Sequence, residues 1–72
     1  MKIVMHLDMV MLKKKVRART LATAIGVSEQ NISVLKTGKC GGIRFSTLAS
    51  ICDYLKCQPG ELLSFVKEDN EV

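Results

Sequence analysis

Apolar residues recur at intervals of three and four along most of the chain, which predicts a series of short helices. The first stripe is Leu7, Val10 and Met11, and it predicts a helix from Leu7 to Lys15. The same rhythm continues through the next segments. It predicts helix two over Arg17–Ile25, helix three over Glu29–Lys36, a fourth helix with apolar residues Leu48, Ile51, Cys52 and Leu55, and a fifth that opens at Gln58.

The N-terminus carries apolar residues that the first stripe does not use. Ile3 and Met5 alternate with Val4, which predicts a short strand over Lys2–His6. A second apolar line, Met9 and Leu12 with Met5 and Val16 on the same diagonal, leaves two interpretations open. Either Ile3, Met5, Met9 and Leu12 form a dimer surface, or the strand pairs within the chain with residues 64–67 and completes the core.

The break between helices two and three has specific end signals. Gly26 stands where the second helix should end, since glycine enters a left-handed turn without steric penalty. Ser28 stands where an N-cap oxygen would accept from free amides. Two helices around so short a break form a helix-turn-helix pattern over residues 17–36, which makes DNA the first partner to consider.

The second half has its own end signals. Thr37-Gly38 closes helix three, and Ser46 is expected to cap the fourth helix. Pro59 and Glu61 open the fifth helix, whose apolar side is expected to be Leu62, Leu63 and Phe65. We expect one domain over residues 1–66 and a disordered polar tail over 67–72.

Charge is unevenly distributed. Residues 1–44 hold nine Lys/Arg against two acids, a net +7, whereas residues 45–72 hold two lysines against five acids, a net −3. A basic half that contains a helix-turn-helix pattern is typical of a DNA-binding protein, although a solvated basic face has the same composition.

Other chemistries find little support. Cys40, Cys52 and Cys57 form no CxxC pair and lack a histidine at ligand spacing, so we expect no metal site and no cofactor. We expect Cys52 in the core and Cys57 half-buried. An odd cysteine count without a leader peptide favours reduced thiols and a cytoplasmic protein. The N-terminal apolar run is too short and too charged for a membrane span. No nucleophile with a base can be assembled, so an enzyme is not expected, and no small-molecule effector site is evident.

Three segments extend the pattern to most of the chain: LATAIGVSEQNISVLKTGK (Leu21 to Lys39), IRFSTLASICDYL and CQPGELL. Together they resemble the phage-repressor, or Cro/C1/Xre, type of helix-turn-helix domain over residues 7–65, with CQPGELL similar to the P-G-[DE]-L-L signature of its fifth helix. The resemblance implies an all-α, compact five-helix bundle of the lambda-repressor type, here with a short N-terminal strand. It also implies that helix three enters the major groove.

The polar face of helix three supplies the expected DNA contacts. Base readout is assigned to Glu29, Gln30, Asn31, Ser33 and Val34, and phosphate contacts to Arg17, Arg19, Ser28, Lys36, Lys39 and Arg44. Two positions depart from the family pattern. Arg17-Ala18 replaces the usual Ser, Thr or Asn followed by Gln at the start of helix two, and Glu29 brings an acid towards a polyanion.

These observations predict a sequence-specific regulator of transcription that binds double-stranded DNA as a homodimer, with half-sites ~34 Å apart. The alternative is a protein-partner module, such as an antitoxin or antirepressor, that uses the same fold with weak DNA contact.

Overall fold

The computed structural model describes residues 2–38 and 41–67. The elements in chain order are β1 (Lys2–Met5), α1 (Leu7–Lys13), α2 (Ala18–Ile25), α3 (Glu29–Thr37), α4 (Phe45–Leu55), α5 (Pro59–Leu62) and β2 (Leu63–Val66). The predicted strand and the first three helices are confirmed, with helix ends within two residues of those expected. Lys39, Cys40 and most of the predicted polar tail lie outside the described residues.

The helices meet in one aliphatic core. Every helix contributes at least one side chain that is almost completely buried: Leu7 from α1, Leu21 from α2, Ile32 from α3, Ile51 and Leu55 from α4, and Leu62 from α5. The predicted stripes of α1 and α4 face this core. The burial of the two cysteines is the reverse of the expectation. Cys57 is buried in the core, and Cys52 is half-buried at the edge of the same cluster.

The fifth helix is shorter than the sequence indicates. It ends at Leu62, and the next four residues form β2, which pairs antiparallel with β1. Leu63 and Phe65, expected on a helix, therefore lie on a strand. The physical reason is that β1 offers unpaired backbone groups, which a second strand satisfies and a helix cannot. The fold is thus mostly helical with a two-stranded sheet, instead of purely α-helical.

The strand pairs within the chain, with residues 63–66 as partner, and this pairing leaves Ile3 of the apolar surface exposed. The register aligns Met5 with Leu63 and Ile3 with Phe65, on one face of the sheet. Met5 and Leu63 pack against the core, whereas Ile3 and Phe65 are more than 60% exposed.

The second apolar line is accordingly divided. Met5 and Val16 pack against the core, so Met5 does not belong to a free dimer surface. Met9 and Leu12 point away from it and are 64% and 80% exposed.

Helices α1, α2 and α4 end in the same way. Each is followed by a residue with positive φ: Lys15 (59°), Gly26 (77°) and Lys56 (56°). The amide after that residue donates to a carbonyl five residues earlier, as Val16 to Met11 (2.9 Å), Val27 to Ala22 (3.0 Å) and Cys57 to Cys52 (3.1 Å). This left-handed cap satisfies helix-end carbonyls and brings the two side chains that flank it together.

The start of α4 differs from the expectation. The N-cap residue is Arg44, so Ser46 lies inside the first turn, where its carbonyl accepts from the Ser50 hydroxyl at 3.1 Å. Ile43 packs against the core, and the Leu48 amide already donates to the Arg44 carbonyl at 2.9 Å. This anchoring starts the helix before Ser46 is reached. At α5 the expectation holds, because the Glu61 carboxylate accepts from the Gln58 amide at 2.7 Å.

Replacing Gly26 with alanine should lower the free energy of unfolding by about 1–2 kcal/mol, because the residue would hold an L side chain in the left-handed region. No atom lies within 4 Å of the added Cβ, so the cost is conformational. Urea denaturation measures it. Gly60→Ala is the matched control, since Gly60 has equal space and no positive φ. Equal losses in the two variants would contradict this assignment.

Candidate nucleic-acid interface

One face of α3 is free of the core. Ile32 and Leu35 turn inward, so at 100° per residue the opposite side is centred on Gln30 and Ser33. The predicted base-reading residues Glu29, Gln30, Asn31, Ser33 and Val34 are all exposed. The helix geometry places Glu29 and Asn31 on the two borders of this face. Lys36 is half-buried on the same border as Glu29, two turns further along.

Thr37 belongs to the same face and was not predicted. It is exposed at the last position of α3, two turns after Gln30, and its hydroxyl donates to the Val34 carbonyl at 2.8 Å. The spacing of seven residues from Gln30 could have identified it, because seven residues make about two helical turns. Placing the helix end at Lys36 excluded it.

The first turn of α3 is capped as expected. The Ser28 hydroxyl oxygen accepts from the Asn31 amide at 3.1 Å. The bond occupies the backbone of Asn31 and leaves its side-chain amide for other partners. A serine hydroxyl that accepts one hydrogen bond still carries one donor, so capping and a phosphate contact are compatible at Ser28.

Glu29, one of the departures from the family pattern, has an arginine beside it. Arg19, in the first turn of α2, has its Nε 3.6 Å from Oε1 of Glu29, the first residue of α3. Both side chains are exposed, so the pair adds little to stability. The pair does place the Glu29 carboxylate beside a cation on the same surface. The positive charge of Arg19 offsets part of the repulsion between this carboxylate and a polyanion.

A groove separates α3 from the start of α4. Asn31 and Val34 line one wall, and Ile43, Arg44 and Thr47 line the other. Arg44 is therefore brought to the border of the α3 face although it follows Val34 by ten residues. Gly42 lies in the same wall.

The starts of α2 and α4 are similar to each other. Arg17 and Arg44 are the N-cap residues, both in extended conformation, and neither helix has a side-chain cap among the described residues. The first amides of a helix lack intrahelical acceptors and carry the positive end of the helix dipole. A cation with free amides behind it favours an anionic partner. Lys39, the remaining predicted phosphate contact, lies outside the described residues.

Other chemistry has little basis in the residues that the structure describes. Within 2–38 and 41–67, no group of three or more His, Cys, Asp or Glu side chains is placed to hold a metal ion. His6 is used within the fold, with its Nε2 2.7 Å from the Ser64 hydroxyl oxygen. The helices in these two ranges are too short to cross a membrane.

Comparison with known proteins agrees with this geometry. Residues 6–68 match the model of the Cro/C1-type helix-turn-helix DNA-binding domain, so the chain belongs to that family. It is 37% identical over 70 residues to the uncharacterized HTH-type transcriptional regulator YozG of Bacillus subtilis strain 168, covering 97% of this chain and 83% of that protein.

A solved structure shows the same fold. The crystal structure of a candidate DNA-binding protein from Bacteroides fragilis superposes with a TM-score of 0.81 at 24% identity, covering 88% of this chain and 100% of the other. The chain is therefore a small helix-turn-helix protein of the Cro/C1 type, as the sequence resemblance indicated.

Ser28→Ala should lower the free energy of unfolding by about 1 kcal/mol, because the Asn31 amide loses its acceptor. Ser46→Ala is the matched control. Ser46 lies inside the first turn of α4 and is not its cap, so alanine there should change stability by less than about 0.5 kcal/mol. Thermal and urea denaturation of both variants measure the difference. A larger loss in Ser46→Ala would reverse the assignment of the two caps.

Proposed function

We propose that this chain is a sequence-specific regulator of transcription that binds double-stranded DNA in the cytoplasm, without catalytic activity, and places α3 in the major groove. The observation that carries the proposal is the exposed polar face of α3, which Ile32 and Leu35 hold outward and which arginines border on both sides. A helix fits the major groove, where each base pair presents a distinct donor and acceptor pattern.

Gln30 and Ser33 are the central base-reading residues of this proposal. A glutamine side chain pairs in two places with adenine N6 and N7, and serine accepts or donates. Asn31 and Val34 face the groove beside α4 and would contact bases on that border, Val34 through a thymine methyl group. Glu29, on the opposite border, accepts either from Arg19 or from the amino group of a cytosine.

Phosphate contacts would come from both sides of the α3 face. Arg17, Arg19 and Ser28 belong to the α2–α3 side, Arg44 to the α4 side and Lys36 to the end of α3, while Lys39 follows in the sequence two residues after the end of that helix. The uncapped amides of α2 and α4 support this arrangement, since helix N-termini bind phosphate groups. Such contacts fix orientation and carry no sequence information. The protein-partner alternative has no observation among the described residues in its favour.

A homodimer would supply the second half-site. We propose that the exposed apolar residues of the N-terminal region, Ile3, Met9 and Leu12, form the contact surface, with Phe65 in place of the half-buried Met5. Phe65 joins the set because the strand register aligns it with Ile3. Two modules on one face of the duplex, one helical turn apart, double the number of bases that are read.

Selection of bound duplexes from a random pool, followed by fluorescence titration at several salt concentrations, tests DNA binding directly. We expect Gln30→Ala to reduce the free energy of DNA binding by about 1–3 kcal/mol. The variant should also lose much of the preference for one base at the position that Gln30 contacts. Arg44→Gln should weaken all duplexes alike and reduce the slope of log affinity against log salt by about 0.9 for each half-site.

The control for Arg44→Gln is Lys13→Gln, which removes the same charge from the end of α1, beside His6 and Glu61. It should alter the slope far less than Arg44→Gln does. No salt-sensitive binding to any duplex by the wild-type chain would overturn the proposal and favour the protein-partner alternative.

Met9→Glu should shift the dimer equilibrium towards monomer at least tenfold, because burying a carboxylate in an apolar contact is costly. Sedimentation equilibrium over a concentration series measures it. Ala49→Glu, an exposed helical position in α4, is the control and should leave the equilibrium unchanged. A wild-type chain that remains monomeric, both free and on DNA, would remove the homodimer from the proposal.

A further inference from the structure

Two cysteine side chains meet where α4 ends and α5 begins. The Cys57 amide donates to the Cys52 carbonyl at 3.1 Å, and both residues line one groove. Both cysteines are free thiols. They lie at the end of α4 opposite to Arg44, and an eleven-residue helix separates its ends by about 15 Å.

The left-handed cap explains why the two side chains meet. The equivalent pairs at the ends of α1 and α2 are Met11 with Val16 and Ala22 with Val27, both of which pack in or against the core. An apolar contact between these two positions commonly accompanies such a cap. At α4 the same backbone geometry places a cysteine at both of these positions.

The two thiols differ in access. Cys57 is only 7% exposed, whereas Cys52 is half-buried, and both border an open groove whose other walls include Ala49, Asp53 and Gln58. Burial, and secondarily the neighbouring Cys52, raises the pKa of the Cys57 thiol. Cys57 is therefore the less reactive of the two towards a reagent that arrives from solvent.

We propose that Cys52 and Cys57 form a reversible intramolecular disulfide by exchange with a small-molecule disulfide. The Cys52 thiolate attacks one sulfur of the reagent, its S–S bond breaks, and the first small thiol leaves with the proton that Cys52 gave up. The Cys57 sulfur then attacks the Cys52 sulfur of the mixed disulfide, loses its proton, and releases the second small thiol. The protein loses two electrons and two protons, and the reagent gains both.

The bond would tie the last turn of α4 covalently to the connection that leads into α5. It closes a ring of six residues over a turn that the backbone already holds, so formation does not require the core to open. The inference is independent of DNA binding, because it rests on the α4–α5 junction alone.

The test uses the full chain with Cys40→Ser, which removes the third thiol, incubated under native conditions with oxidised glutathione. Mass spectrometry should show a loss of about 2 Da relative to the reduced protein, with no retained glutathione. Helix content by circular dichroism should be unchanged, and dithiothreitol should restore the original mass. In the same background, Cys57→Ser should stop at the glutathione adduct on Cys52, and Cys52→Ser should react at least tenfold more slowly.

Three results would overturn the proposal: a stable glutathione adduct on the parent chain, a disulfide that forms only in urea, or a disulfide between two chains. Should Cys40→Ser fail to fold, peptide mapping of the oxidised wild-type chain answers the same question. A fragment joined through Cys52 and Cys57 supports the inference, and a pair that includes Cys40 contradicts it.

Discussion

The burial of a few aliphatic side chains from short helices is the constraint on which the rest of the structure depends. The described helices have between four and eleven residues, and isolated helices of that length are marginal in water. They persist because each inserts at least one nearly inaccessible side chain into a shared core. Leu21 of α2 and Ile32 of α3 are both buried in this core. Because Ile32 faces inward, Gln30 and Ser33 face outward on the opposite side of α3. The recognition surface is thus a consequence of core packing.

The way the helices end is the second organising feature. A repeated left-handed cap lets the chain turn within three or four residues and still satisfy the last carbonyls. The cap also decides which side chains meet beyond each helix, and those pairs join or border the core. At α2 the cap creates the turn before α3. At α4 it creates the contact between Cys52 and Cys57, so one backbone device serves both the candidate DNA surface and the candidate thiol site.

The N-terminal ends of α2 and α4 carry positive charge. Arginine stands at the N-cap of α2 and of α4, and no side chain caps either helix among the described residues. The weak cap at Arg17 leaves amides and a cation together, which suits an anionic partner better than a capped turn does. Arg19 of α2 pairs with Glu29, so a cation accompanies this departure from the family pattern. The chain belongs to the Cro/C1-type family of DNA-binding domains.

The sequence by itself determined what depends on local physics. Apolar spacing gave the stripes of the first four helices, glycine gave the left-handed turn at Gly26, and a short hydroxyl side chain gave the cap at Ser28. The tertiary structure decided what depends on distant partners. Residues after Leu62 form a strand because β1, sixty residues earlier in the chain, offers unpaired backbone groups. The same pairing places Met5 against the core, and core anchoring makes Arg44 the N-cap of α4. The packing of α2 against α3 brings Arg19 beside Glu29. The apolar spacing of a helix is a local property of a few neighbouring residues. Strand partners and burial depend instead on where the rest of the chain lies in the fold.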